Sequence, residues 1–207
     1  LLRRSTDSGK TWSEQEVIWD DSTNTCGNPC PIVDSKTGEI HLLLTWNRGD
    51  DKESEIIDGS SNDTRRIFYC SSKDDGISWS SPKEITNSVK EENWTWYATG
   101  PGAGIQIERG EYEGRLIAPC DHIEKDSKKY FSHIIYSDDH GKSWSLGGTT
   151  PYDQVNECQV AEISENRLLL NMRNYDRNNK MRQIAISKDG GESWIDQQFD
   201  EELIEPI

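Results

Sequence analysis

Ser137-Asp138-Asp139-His140-Gly141-Lys142-Ser143-Trp144 recurs three more times with the same chemistry, as Ser5-Thr6-Asp7-Ser8-Gly9-Lys10-Thr11-Trp12, Ser72-Lys73-Asp74-Asp75-Gly76-Ile77-Ser78-Trp79 and Ser187-Lys188-Asp189-Gly190-Gly191-Glu192-Ser193-Trp194. The shared form is Ser-x-Asp-x-Gly-x-Ser/Thr-Trp. Asp and Ser side chains accept hydrogen bonds from turn N–H groups, Gly supplies a positive φ, and Trp closes the turn by packing. The motif is therefore a hairpin tip with no chemistry of its own. Three copies follow strand-like runs, Arg66-Ile67-Phe68-Tyr69-Cys70, His133-Ile134-Ile135-Tyr136 and Arg182-Gln183-Ile184-Ala185-Ile186, which gives a strand, turn, strand unit. Tryptophan spacings of 67, 65 and 50 residues suit four-stranded blades with variable loops. The repeats predict an all-β chain with almost no helix and with each motif Trp largely buried.

Composition narrows the class. Only 32% of the 207 residues are hydrophobic, and eight Trp and seven Tyr stand against three Phe and two Met, so the core must draw on aromatic rings that carry a polar handle. A net charge of −15 without any Lys/Arg stripe argues against nucleic acid and anionic membrane surfaces. It also means that an anionic ligand must be held by a few local arginines. Five cysteines, an odd number, read as buried thiols, Cys26 and Cys30 being the one pair near enough to bridge locally. The scattered histidines and the lack of a CxxC repeat give no metal site. No apolar run is long enough to span a membrane as a helix, and a start on Leu1 rather than Met leaves the missing leader peptide without weight.

Two further apolar runs, Asn156-Glu157-Cys158-Gln159-Val160-Ala161-Glu162-Ile163 and Arg167-Leu168-Leu169-Leu170-Asn171-Met172-Arg173-Asn174, flank Ser164-Glu165-Asn166, a break suited to a three-residue hairpin loop. Centring the loop on Glu165 sets Glu157 opposite Arg173 on one face. From spacing alone, a surface ion pair worth ~0.5 kcal/mol accounts for the two residues as well as a functional role does.

The words N-E-C-Q-V-A-E and L-N-M-R-N resemble the segment of the exo-α-sialidases (neuraminidases) that carries a catalytic Glu and one arginine of the triad gripping the sialic acid carboxylate. The fourfold motif is similar to the Asp box, or BNR repeat, of the same family. Gly100-Pro101-Gly102-Ala103-Gly104-Ile105-Gln106 and Asn28-Pro29-Cys30-Pro31-Ile32-Val33-Asp34 resemble two further sialidase strings. The resemblance covers essentially the whole chain. It implies a sialidase β-propeller, six-bladed in the full protein, of which residues 1–207 would be a single partial domain of about three to four blades. The implied activity is hydrolysis of terminal α-linked sialic acids from sialylated glycoconjugates, gangliosides included, with retention of configuration and no cofactor or metal.

Sialidases depart from the two-carboxylate pattern of most glycosidases in that a Tyr attacks and a Glu is its base. Sialic acid carries a carboxylate on the reacting carbon, which would repel an anionic nucleophile but admits a neutral phenol. By the match, Glu157 takes the base position and Arg173 the second arginine, while Asn28 and Asp121 become substrate contacts. For Asn28, turn capping is the rival reading. Asp121-His122 end the run Gly114-Arg115-Leu116-Ile117-Ala118-Pro119-Cys120, read as an inner strand with Arg115 structural, where family members place residues facing the N-acyl or glycerol groups. The first and third arginines, the acid/base Asp and the Tyr nucleophile are expected outside this chain, which by itself should be inactive. The polar segment from Asn47 to Thr64, with Asp50, Asp51, Glu53 and Glu55, reads as a surface loop of solvated charge rather than a lid on the site. Asp boxes also occur in sortilin-type receptor propellers and in other propeller glycanases. A non-catalytic binding module and a trans-sialidase therefore stay open as alternatives.

Overall fold

A computed structural model describes residues 1–205, so Pro206 and Ile207, the end of the expected domain, lie outside the described residues. The first sheet comprises β1 (Thr25–Val33), β2 (Ile40–Asn47), β3 (Arg66–Ser72) and β4 (Lys83–Glu84). The second comprises β5 (Trp94–Thr99), β6 (Ile105–Gln106), β7 (Leu116–Glu124), β8 (Tyr130–Ser137) and β9 (Ser145–Thr149); the third, β10 (Val155–Ser164), β11 (Arg167–Asn174), β12 (Met181–Ser187) and β13 (Ile195–Ile204). All strands pair antiparallel, in the orders β1-β2-β3-β4, β5-β7-β8-β9 and β10-β11-β12-β13, with β6 joining β7. Two short helices interrupt them, α1 (Glu53–Asp58) and α2 (Thr86–Val89), and among the described residues no helix is long and apolar enough to cross a membrane. The strands β3, β8 and β12 are the three runs that the repeats anticipate ahead of a hairpin tip.

Each tip is built identically. In the third copy Ser137 Oγ accepts from Gly141 N at 2.9 Å and Asp139 takes Ser143 N at 2.9 Å and Ser143 Oγ at 2.6 Å. The other three repeat the pattern within a tenth of an ångström or so: Gly9, Gly76 and Gly191 donate to their serines at 2.8 Å. Not only the glycine but the residue before it is left-handed, with φ of 60° at Ser8, 57° at Asp75, 59° at His140 and 66° at Gly190.

The core lies between sheets. One cluster joins Cys30, Leu43 and Ile67 of the first sheet to Tyr97, Leu116 and Ile135 of the second; another joins Ile117 and Ile134 to Val160, Leu170 and Met172 of the third. The motif tryptophans act across these junctions. Trp144 lies 6.0 Å from the Tyr69 ring of the preceding sheet, and Trp194 donates to Gly148 O at 2.9 Å. Both are buried. The expectation of burial fails for the other two: Trp79 is only half-buried, packed against Leu42, Leu44 and Cys70, and Trp12 is 59% exposed. The reason is geometric, since such a Trp is covered by the sheet before it and the described residues supply none there. Residues Leu1 to Trp12 contribute no named strand, only a bridge from Leu2 to Glu16.

Other expectations shift in detail. The run that contains Asp121 is β7, paired with both β5 and β8, so it is an inner but not the innermost strand. Arg115, just ahead of it, is spent on a two-pronged ion pair with Asp138 at 2.8 and 2.9 Å and on Gly190 O at 3.0 Å, a structural use. All five cysteines are free thiols, Cys26 only half-buried. Gly100–Gly104 ties the three sheets together. Gly100 N donates to Pro119 O at 2.8 Å and Gly104 N to Pro31 O at 3.0 Å, while Gln159 Nε2 of the third sheet reaches Ala103 O. A Cβ on Gly104 would collide with the Ile117 carbonyl and the Ile32 side chain, so only glycine permits this approach.

Candidate active site

The β10–β11 hairpin carries the site. Its register, Cys158 with Met172 through Glu162 with Leu168, is the one expected, but Ser164 pairs with Arg167, leaving a two-residue turn in place of three. Asn166 takes the left-handed position, φ 56°. Alternation puts Cys158, Val160, Leu170 and Met172 in the core and leaves Glu157 and Arg173 at the open end. A register shift between Val155 and Cys158 frees Glu157 from strict pairing. Arg173 Nη1 donates to Glu157 Oε2 at 2.9 Å, and both side chains are about two-fifths exposed.

This pair, Asn28 and Asp121 all line one cavity of about 200 Å³. Asp121 enters from β7 and is 1% exposed; its Oδ1 accepts from Asn156 Nδ2 at 3.2 Å, and its Oδ2 has no partner. Burial, opposed by Arg65 and reinforced by Glu157, pushes the carboxyl up to about 8. Asn28 caps no turn. It sits in the bulge of β1 at φ 50°, with Oδ1 accepting from Arg65 Nη1 at 3.4 Å and its carbonyl accepting from Thr99 Oγ1 at 2.6 Å. His122, next to Asp121, turns the other way, stacked on Trp94 at 3.5 Å between ring centres, in keeping with strand alternation.

Three contributors escaped the sequence reading. Arg65 is buried and lies 3.8 Å over the Trp96 ring, a wall of the cavity. It donates to Tyr97 O at 3.1 Å and to Asn47 Oδ1 at 3.3 Å and has no carboxylate within ion-pair distance, so burial draws its guanidinium down to about 10. The second is α1, in the segment expected to be a solvated loop. Glu55 Oε2 accepts from Lys52 N at 3.0 Å, Gly59 closes the helix at φ 80°, and Thr95 Oγ1 anchors it through Ile57 O at 3.0 Å. Glu53 and Ile57 thereby reach the cavity. The third is an aromatic rim of Tyr130 and Tyr175, stacked at 5.3 Å, with the Arg173 guanidinium 5.1 Å above Tyr175. An arginine just before a strand is unremarkable unless a Trp stands over it, and Trp96 is 31 residues further along the sequence.

Chemically the cavity offers the acidic side chains of Glu157 and Glu53, the Arg173 guanidinium and the buried acid Asp121, with Arg65 behind the Trp96 wall. For Arg173, burial works against the charge, but the hydrogen bond to Glu157 and the charges of Tyr175, Glu157 and Glu205 together outweigh it, and the guanidinium stays cationic. One N–H is spent on Glu157; the rest have no protein partner among the described residues and remain available to an anion. A larger recess of about 1010 Å³ lies between the first two sheets, lined by Tyr69, Lys73 and Trp144. It is wide and has an acid–arginine pair of its own, Arg66 with Glu84 at 3.3 Å, but no buried carboxyl; the smaller cavity, where the enclosed Asp121 stands with Glu157 and Arg173, is the better candidate for chemistry.

The stacked four-stranded sheets and their repeated tips define a β-propeller-type chain. It belongs to the BNR repeat-like domain family, whose pattern matches residues 1–202. The chain is 33% identical over 209 residues to a sialidase of Bacteroides fragilis, covering 94% of this chain and 37% of that protein. It is 32% identical over 180 residues to mouse sialidase-4, covering 81% of this chain and 36% of the relative. Among solved structures, the Hadza microbial sialidase Hz136 superposes with a TM-score of 0.80 at 30% identity, over 93% of this chain and 38% of the other. The chain thus spans little more than a third of the length of these proteins.

Proposed function

We propose that residues 1–207 are a single partial propeller domain and contribute to the active site of an exo-α-sialidase that releases terminal α-linked sialic acids from glycoconjugates. The observation that carries this is the Glu157–Arg173 pair, 2.9 Å apart, on the wall of a cavity shared with Asn28 and Asp121. Arg173 anchors the substrate carboxylate through its unspent N–H groups. Glu157 withdraws the phenolic proton of an attacking Tyr, so one hairpin supplies both base and anchor. Asn28 and Asp121 orient the sugar from the β1 and β7 side. No Tyr is hydrogen-bonded to Glu157 among the described residues, and the nucleophile, the acid/base Asp and the remaining arginines belong to the whole protein.

The test is Glu157→Gln in the full-length protein. The variant should fold and bind a sialic acid analogue while kcat on a fluorogenic sialoside falls by ~10²–10⁴, the cost of losing a general base. Full kcat would remove Glu157 from the mechanism. A full-length wild-type protein that binds sialosides without turning them over would favour the binding-module alternative, and transfer to added lactose in preference to water would favour the trans-sialidase.

A further inference from the structure

Asp121 is the one cavity-lining carboxyl that is almost wholly enclosed, and its environment is not that of an ion. Oδ1 has a single weak donor, the Asn156 amide at 3.2 Å. Oδ2 is buried and has none within hydrogen-bonding geometry, although the Trp96 side chain lies near enough to favour the charged form, and Asp121 lines the cavity. The nearest opposite charge, Arg65, makes no hydrogen bond to it, because that guanidinium is committed to Asn47, Asn28 and Tyr97 O. A buried carboxylate normally gathers two or three donors or a bidentate arginine, and an unpaired one is among the costliest groups to enclose. A protonated acid at the same place needs only one acceptor for its O–H, and a molecule bound in the cavity that Asp121 lines can bring one.

From this placement we infer that Asp121 serves as a neutral acid whose Oδ2–H donates a hydrogen bond to an uncharged acceptor oxygen, carbonyl or hydroxyl, of the bound sugar. The inference rests on the sialidase reading for the identity of the sugar, while the protonated state of Asp121 is independent of it. The direction of its proton affinity agrees: burial comes first, and the neighbouring Glu157 carboxylate adds to it. A neutral donor also avoids a conflict of charges, since an ionised Asp121 would stand as a second anion near Glu157 in a cavity meant for an anionic substrate.

The consequence is a pH limit on binding; Lys90, bonded to Arg65 O and Thr64 Oγ1 and drawn down to about 7 by burial, titrates in the same range one residue removed, and Asp121→Asn separates its effect from that of Asp121. The charged groups around it are Arg65 ahead of β3, Glu157 on β10 and Arg173 on β11, with Glu53 of α1 on the same cavity. The arginines stay cationic across this range. Tyr97 on β5, Cys120 beside it on β7, Cys158 on β10 and Tyr175 after β11 all have their protons held more tightly by burial, so they are silent between pH 6 and 9.

Two measurements on the full-length protein test this. An infrared difference spectrum of wild type minus Asp121→Asn at pH 6 should show a protonated-carboxyl C=O band that vanishes by pH 9; its absence at pH 6 overturns the inference whatever the ligand. Affinity for a 2,3-unsaturated sialic acid analogue should then fall about tenfold or more in wild type between pH 6 and 9, because ionisation removes a donor and adds an unpaired charge. Asp121→Asn, which keeps an N–H donor of the same shape, should stay within about threefold of the pH 6 wild-type affinity at both pH values, and Asp121→Ala should be weak throughout. A congener with hydroxyl in place of the acylamino group tells which oxygen accepts: an unchanged Asn-to-Ala ratio points to a hydroxyl, a lost one to the amide carbonyl. Wild-type and Asn profiles with the same pH dependence overturn the donor role. A wild type with the band but no affinity for the analogue overturns the sialidase reading and the sugar contact, leaving the neutral acid standing.

Discussion

Arg173 tests how much of the site depends on shape rather than charge. Its guanidinium gives one N–H to Glu157 and lies above Tyr175, so it is held at two points, while its other N–H groups have no protein partner among the described residues. Arg173→Lys keeps the cation and loses the fork, and in the full-length protein it should cost ~2–4 kcal/mol of transition-state binding, read as a fall in kcat/KM on a fluorogenic sialoside. Near-wild-type kcat/KM would reject the anchoring role. Residues of this kind were legible because short motifs preserve them: Glu157 and Arg173 follow from N-E-C-Q and N-M-R-N plus a hairpin register. Arg65 and Glu53 were not, because what defines them is burial under Trp96 in one case and a six-residue helix in the other. Neither leaves a periodic trace. The Asn47–Thr64 segment has the polar composition of a loop, and only the Gly59 stop and the Glu55 cap distinguish its helix.

Among the elements, the repeated tips were the most readable, since each rests on local hydrogen bonds that the sequence spells out. Asp7 and Asp74 illustrate the electrostatic side. The Thr11 hydroxyl and the Ser78 hydroxyl, respectively, hold these carboxylates down to about 2, below the ~3.9 of an unfolded chain. Depressed values mean that the unfolded chain takes up protons first, so the stabilisation is full above pH ~4 and fades as pH falls toward 2. Replacing Asp139 by Ala removes the acceptor of both Ser143 bonds and should cost about 1–2 kcal/mol in denaturant unfolding; a change below 0.3 kcal/mol would mean water replaces the carboxylate without loss. The tryptophans do not share one fate, contrary to what the repeat suggests. Trp194→Ala should cost ~3–5 kcal/mol, as for a large buried aromatic, and Trp12→Ala within ~0.5 kcal/mol in the 207-residue chain. Equal losses at the two positions would contradict the packing described above. Sequence identity between repeats records the turn, while the cover over each ring comes from a different sheet.

At the level of the whole molecule, the three sheets share two interior clusters, and the cavity opens where strands of all three sheets converge. Burial of Asp121 at that convergence has a cost for stability that depends on pH. Its folded carboxyl is raised to about 8, against ~3.9 when unfolded. Between these values the folded chain keeps a proton that the unfolded chain has lost, so stability falls as pH rises through the window and levels off above it. The melting temperature of wild type relative to Asp121→Asn should decline from pH 4 to pH 8; a constant difference would show that the carboxyl ionises normally. The order of sheets was legible from the repeat spacing. The convergence was not, because it is set by contacts between segments far apart in sequence, from 35 residues for Asp121 and Asn156 to 71 for Asn28 and Thr99. The Gly100–Gly104 loop makes the point in practical terms. Propeller blades invite exchange between homologues as if each were a cassette, yet here one short loop leaves its own sheet to bind the backbone of the first and the Gln159 side chain of the third. A chimaera cut at the blade boundary near residue 90 or 150 would graft a loop onto foreign neighbours. The exchangeable cassette in this protein is therefore the trio of sheets, and a successful swap must carry Pro29–Pro31, Gly100–Gly104 and Gln159 together.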